Sequence, residues 1–400
     1  MTHILAAGDP LFDRGVDLTV VLIVLAKAVV VFGAMLVSVL LLIWFERKLV
    51  ADMQDRIGPA RAGPFGVLQT LADGIKLFFK EDLLPSGADR RVYKLAPYLA
   101  TVPAFLSFAI VPVGGMVTIA GRQTRLQLAD PPIGILFLLA MSSVAVYGVM
   151  LAGWSSGSKY PLLGAVRGSA QMVSYEAALG LSTVAVVLVT GSLLTSDIVA
   201  AQSGSGFAFL PNWNLLRLGF IPFIVFFIAG TAEAHRPPFD LVEAEQELVG
   251  GFHTEYSSLR FALFFLAEFM NTITMSAVMV TLFLGGPTGP GPDSGVLGAI
   301  LPVFWFLVKV FGFLCVFIWL RATLPRLRYD QLMDLGWKKL IPGSLIWLLV
   351  LAAFQVNQGL GIAVTLGGLV MAALLWRAMQ VGRDASEYDT PAPPAYREAP

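Results

Sequence analysis

Cysteine is almost absent from this chain of 400 residues: Cys315 stands alone, which excludes an internal disulfide and any metal cluster held by cysteines. Histidine is nearly as scarce. His3, His235 and His253 are scattered and lack zinc-type spacing, so a metal site built on imidazole has no support and any redox cofactor has to come from a partner. Charged residues make up only 14% of the chain, against roughly a quarter in soluble globular proteins. The 27 Lys and Arg balance the 27 Asp and Glu, leaving no basic excess to hold nucleic acid. An internal repeat is also missing, which withdraws support from an inverted-repeat transporter.

What is abundant is apolar. Hydrophobic residues reach 56%, and stretches of about 20 such residues, the length needed to cross a bilayer, occur near 19–45, 98–120, 132–152, 174–194, 215–235, 259–285, 299–320, 340–357 and 360–376. The expected fold is therefore all-α: a polytopic integral membrane protein with about nine transmembrane helices. The amino-terminal "MTHILAAGDPLFDRGVDL" has no basic cluster, and the apolar run after it is too long for a signal-peptide core. It reads as the approach to a first span. Residues 1–383 are expected to form one helical domain, with a core at about 20–356 and an extra helix at about 360–376. The Pro-rich residues 384–400 are expected to form a disordered tail. Only "NQGLG" separates the last two stretches, where Gly359 and Gly361 mark either a tight hairpin or a break.

Charge placement orients the chain. Loops 46–97, 153–173, 236–260 and 321–339 and the tail carry 21 of the 27 Lys and Arg, whereas the opposite side has Arg14, Arg122, Arg125 and Arg217. By the positive-inside rule the amino terminus lies outside and the carboxyl terminus in the cytoplasm. In the first cytoplasmic loop, "FGVLQTLADGIKLFFK" places Leu68, Leu71, Ala72, Ile75, Phe78 and Phe79 on one helical face and Gln69, Asp73, Lys76 and Lys80 on the other. Sixteen residues give about 24 Å of helix. That is short and charged for a span, and suits a helix lying in the interface.

Ionisable groups also occur where lipid is expected. Glu268 lies about 13 Å into its span, and Lys309 is near the middle of the next. Glu46, Glu176 and Glu233 sit near the cytoplasmic ends of three others. Such charges usually face a protein interior or a wet cavity. Plainer alternatives are that Glu46 and Arg47 are interface anchors, that Lys27 snorkels outward, and that Glu268 and Lys309 form a structural ion pair. The stretch "RPPFDLVEAEQELVGGFHTEY" gathers Asp240, Glu243, Glu245, Glu247 and Glu255 with no lysine. Glu243 and Glu247, four apart, are expected on one helical face with Glu245 beside them, and the crowding is expected to raise at least one carboxyl above its ordinary range, as a proton path requires. His235 and His253 bracket the stretch and could titrate with it; a solvated loop, with both histidines at the surface, is the plainer alternative.

Four motifs in order, "WFERKLVADMQDRIGPARAGPFGVLQTLADGIKLFFKED", "GWSSGSKYPLLGAVRGSAQMVSYE", "AEAHRPPFDLVEAEQELVGGFHTEYSSLRFALFFLAEF" and "FWFLVKVFGFLCVFIWLRATLPRLRYDQLMDLGWKKLIP", resemble the H-type membrane subunit family of proton-translocating NADH:quinone oxidoreductase, respiratory complex I, in its bacterial form. The resemblance covers about residues 20–356. Departures are small: Ala60 stands in a turn where the family often has Asn, and "AEAHR" replaces "AETNR". It implies a membrane protein whose cytoplasmic face walls a quinone chamber, in a bacterial plasma membrane. Ubiquinone or menaquinone is the implied substrate, with FMN and iron–sulfur clusters in partner subunits. Small membrane subunits and antiporter-like subunits are the other implied partners. For quinone binding it implies Arg47, Arg56, Phe65, Asp73, Lys76, Phe78, Arg236 and Phe239. For proton coupling it implies Glu46, Glu176, Glu233, Asp240, Glu243, Glu245, Glu247, Glu255 and Glu268. Related hydrogenase or dehydrogenase subunits, a secondary ion transporter and a structural anchor are the rival readings.

Overall fold

The structure is a computed structural model that describes residues 9–13, 15–204, 212–243, 245–292 and 295–370, with 374 and 377 beyond them. The expected tail, 384–400, lies outside the described residues. Helix α1 (Leu18–Met53) opens with Asp17 accepting a hydrogen bond from Val20 N at 2.9 Å, an N-cap that satisfies one of the free donors of the first turn. Then follow α2 (Gln69–Phe79), α3 (Arg90–Phe108), α4 (Gly134–Ser155), α5 (Lys159–Thr190), α6 (Thr195–Ala201), α7 (Phe220–Glu233), α8 (Ser258–Phe283), α9 (Gly295–Thr323), α10 (Tyr329–Asp334) and α11 (Ile341–Val356). A π-helical turn, Leu335–Leu340, joins the last two.

Each predicted apolar stretch meets a helix for at least part of its length, but among the described residues six helices are both long and apolar enough to cross a membrane: α1, α4, α5, α8, α9 from Leu297, and the run Tyr329–Val356. Helix α7 and Gln358–Val370 are apolar but shorter. The stretch expected at 98–120 is corrected. Helix α3 begins at Arg90 and stops at Phe108, where "VPVGG" supplies a proline without an N–H and two glycines. The chain then forms a small antiparallel hairpin, β1 (Met116–Ile119) with β2 (Arg122–Arg125), in which Met116 faces Arg125. Helix α5 starts 15 residues earlier than the expected 174, absorbing most of what reads as a loop. At the "NQGLG" junction, α11 ends at Val356 and the Asn357 side chain accepts from Gly359 N at 2.9 Å, so a one-residue break separates the helices.

Residues 1–344 pack as one unit, and a second begins at Leu345. Within the first unit α8 is the central helix, with 72% of its most apolar window buried, against 17% for α1. Small residues allow the others to close around it. A Cβ on Gly148 of α4 would lie 2.6 Å from Ala100 N of α3. Tyr93 and Tyr256 stack at 4.0 Å between ring centroids and tie the start of α3 to the segment before α8.

Candidate functional site

The segment between α7 and α8 is folded inward over α5, because α5 presents glycines where the segment crosses. A Cβ on Gly164 would stand 2.9 Å from Gly251 Cα, and one on Gly168 would meet Val242 at 2.9 Å. Gly251 adopts φ +58°, a conformation that favours glycine, and a Cβ there would lie 1.9 Å from Val242 O. Gln171 of α5 donates to Ala232 O at 2.9 Å and to Phe239 O at 2.8 Å, and Leu327 N donates to Pro238 O at 3.0 Å. These bonds satisfy backbone acceptors that burial would otherwise leave unpaired.

Arg236, 4% exposed, is thereby delivered to the middle of a charged cluster. Its Nη1 lies 3.4 Å from both carboxylate oxygens of Glu46 on α1, and its Nε lies 3.5 Å from Glu268 of α8 and 3.2 Å from Thr272 Oγ1. The guanidinium stacks 4.2 Å from the centroid of the Phe269 ring. Glu46 also pairs with Arg321 at the end of α9. Glu268 shares a hydrogen bond with Glu243, which in turn sits 3.3 Å from His253 Nε2. The charge of Asp240, half-buried, acts on Glu268.

A second carboxylate pair lies deeper along the bundle. Glu233, 2% exposed at the end of α7, accepts a hydrogen bond from Ser142, and Glu176 of α5 accepts one from Ser143. The two carboxylates are near enough for their charges to interact.

The expectation of one crowded acidic face is corrected. The short helix starts only at Glu245 and runs to Leu248, so Glu243 lies in the preceding turn and points inward while Glu247 points out. Glu247 is held by Arg167 and Arg326, each at 2.8 Å, and these cations, with the Arg167 hydrogen bond foremost, keep its carboxyl below the ordinary range. Burial works against the charge on Glu243. The hydrogen bond and charge of His253, with help from Glu268 and Arg236, outweigh burial and hold that carboxyl well below the usual value. Neither group shows the upward shift expected from crowding. The Glu245 side chain lies outside what the structure describes. Glu255 is half-buried, and its backbone carbonyl accepts from Tyr93 OH at 2.7 Å.

Beside the Arg236 cluster opens a cleft of about 420 Å³. Its polar lining is Glu46, Arg47, Arg56 and Arg321, and its apolar lining includes Ile57, Phe265 and Phe269. Arg47 reaches Asp73 of α2 at 2.6 Å, and Trp44 Nε1 donates to Phe65 O at 3.0 Å, fixing α2 against α1. Helix α2 keeps its apolar face outward: Leu68, Leu71, Ile75, Phe78 and Phe79 are all exposed, Phe79 to 88%. Phe65 and Lys76 are exposed too. Phe239 does not join this group. It is buried with its ring 5.3 Å from that of Tyr175, so its place is in the support of the loop.

At the other end of the bundle two lysines correct the alternatives raised for them. Lys27 is folded inward onto Asp9 at 3.1 Å, Thr124 Oγ1 at 2.6 Å and Gln127 O at 3.1 Å. Lys309 pairs with no carboxylate among the described residues. It donates to the carbonyls of Leu284, Gly286 and Thr288 at 2.7, 3.0 and 2.7 Å, and lies over Trp213. His253, raised in the sequence as a group that could titrate with the acidic stretch, does meet Glu243, and the site recruits groups that sequence reasoning passed over: Arg321, Gln171, Ser142 and Ser143. The serine pair inside the apolar run "LLAMSSVAVYG" was the one legible signal.

Fold and site together define an all-α polytopic membrane protein with a linked set of carboxylates and arginines at one end of its bundle. The NADH dehydrogenase family matches residues 26–352. The H subunit of NADH-quinone oxidoreductase from Frankia casuarinae is 51% identical over 382 residues, covering 92% of this chain and 83% of that protein. Its counterpart from Frankia alni is 52% identical over 366 residues, covering 88% and 79%. The chain belongs to this family of NADH-quinone oxidoreductase H subunits.

Proposed function

We propose that this membrane subunit of NADH-quinone oxidoreductase walls the chamber in which quinone is reduced, and that its carboxylates couple the reduction to proton translocation. One observation carries the reading: Glu46 lines the cleft and also forms the ion pair with Arg236, so a headgroup in the cleft lies one residue from the buried network. The outward apolar face of α2 suits it as the lip of a passage for an isoprenoid tail. Arg47, Arg56 and Arg321 offer cations to an anionic headgroup, with Asp73 and Lys76 nearer the lip.

Quinone reduction takes up two protons and passes through anionic species. In this reading each anion draws protons through Glu46, Glu268, Glu243 and Asp240, and the change of charge reaches Glu233 and Glu176. Glu245, Glu247 and Glu255 supply the cytoplasmic approach. The energies are commensurate: moving one charge against 100 mV needs about 2.3 kcal/mol, and each pKa unit supplies about 1.36 kcal/mol. The excess of Lys and Arg in the loops at this end supports a cytoplasmic orientation with the amino terminus outside, in this reading in a bacterial plasma membrane. FMN and iron–sulfur clusters then belong to partner subunits, among them a hydrophilic one over the cleft, with small and antiporter-like membrane subunits alongside.

Gentle purification through a tag on this chain tests the assignment. Iron–sulfur and flavin signals that co-purify with quinone reductase activity are expected. A colourless single protein would overturn it in favour of an ion transporter.

A further inference from the structure

The two carboxylate groups of the site are separate in their direct contacts: Glu46, Arg236, Glu268 and Glu243 form one, and Glu233 with Glu176 forms the other. Between them lie two small cavities. One, of about 30 Å³, is bordered by Glu243, Glu268, His235 and His253. The other, of about 10 Å³, is bordered by Glu233, Ser142, Ser107 and Thr274. Asn271 of α8 lines both.

The walls contain polar atoms without a protein partner among the described residues. In the second cavity these are Glu233 Oε2 and Thr274 Oγ1, on residues 2% and 1% exposed. Around the first they are His235 Nε2 and His253 Nδ1. An orphaned buried acceptor and donor facing one cavity are what an internal water satisfies, and room of roughly 10–15 Å³ is enough for one. An asparagine amide has both polarities: Nδ2 donates and Oδ1 accepts.

We infer that Asn271 is a positioning residue that holds a water in each cavity and so joins the Glu243–Glu268 pair to Glu233. The transfer balances. A protonated carboxyl of the first pair releases its proton to the water on its side, movement of the Asn271 amide brings the two waters into line so that a proton passes from the first to the second, and the second gives one to Glu233 Oε2, leaving both waters neutral. The first pair ends as carboxylate, Glu233 ends as carboxylic acid, and no net charge is created. The groups that face this path are Glu243, Glu268, His235 and His253, the charges of Asp240 and Arg236 beside Glu268, and Glu176 behind Glu233.

This rests on the proposed coupling function, and the experiment separates the two. Redox-induced infrared difference spectra of the intact complex are recorded for the parent and for Glu233→Gln, to identify the carboxyl band of Glu233. The same spectra are then taken for Asn271→Leu, for Thr274→Val, which keeps its shape but loses the hydroxyl, and for Asn271→Ser, which leaves room for an added water. The expected result is a Glu233 band reduced several-fold in Asn271→Leu and Thr274→Val and restored in Asn271→Ser, while bands removed by Glu268→Gln persist. A Glu233 band of parental size in both Asn271→Leu and Thr274→Val overturns the role of Asn271 alone. A parent without any carboxyl band sensitive to Glu233→Gln overturns both this inference and the coupling reading.

Discussion

Arg236 and Glu46 lie 190 residues apart in the chain, yet Arg236 Nη1 is 3.4 Å from both oxygens of the Glu46 carboxylate. Both side chains are nearly out of contact with solvent, at 4% and 7% exposure. A pair so buried adds little net stability relative to apolar packing, but removing Arg236 takes the buried cation from Glu268 and leaves Glu46 with Arg321 alone.

Replacement of Arg236 by alanine is therefore expected to cost about 3–5 kcal/mol, because Glu46 and Glu268 both lose a partner. Quinone reduction coupled to pumping should fall with it. Arg236→Lys keeps the charge but not the planar fork, and should recover stability more than coupled turnover. Thermal unfolding of the purified complex, compared with proton uptake per quinone reduced, checks both.

Glu247 gives the contrasting case. It is an exposed ion pair with two arginines, and exposed pairs contribute roughly 0–1 kcal/mol, so Glu247→Gln should leave assembly intact. Its lowered carboxyl fixes the sign of the pH effect. The contribution is present above the ordinary carboxylate range and is lost as pH falls through the depressed value. Melting temperatures at neutral and acid pH should converge slightly between parent and variant on the acid side.

His253→Gln removes the group that most strongly opposes burial at Glu243. With burial left dominant, the carboxyl should move upward and take up a proton at higher pH than in the parent. The check is an infrared C=O band of protonated carboxyl near neutral pH, present in His253→Gln and absent from His253→Gln combined with Glu243→Gln. A parental spectrum in the single variant contradicts this.

Lys309→Met breaks three charge-assisted bonds to carbonyls at the far end of the bundle. Bonds to charged groups contribute about 1.5–3 kcal/mol each, net of exchange with water, so a drop in melting temperature is expected. Proton uptake per quinone reduced should be unchanged in whatever complex assembles, since Lys309 stands apart from the carboxylates.

Much of this was legible in the sequence, for reasons that differ residue by residue. The spans declare themselves because apolar runs of bilayer length are rare otherwise, and α2 shows its two faces because helical periodicity is local. Glu46, Glu233 and Glu268 were conspicuous as charges in apolar surroundings. Their pairing was not, since Arg236 meets Glu46 across 190 residues and no local pattern encodes that contact. The crowded acidic face failed because Leu241–Glu243 form a turn and the helix starts only at Glu245, with Val242 and Gly251 packed on α5. Lys309 was mispaired because its partners are backbone carbonyls, to which a reading of side-chain charges is blind.

The contact of Gly164 with Gly251 brings main chain against main chain, with no side chain between them to act as a cushion. Gly164→Ala should accordingly pry the segment off α5 and scatter Arg236, Glu243 and His253 together, although it alters no ionisable group. A segment clamped in this manner has little freedom to swing. Under the proposed coupling, what is left to relocate is the hydrogen ion itself.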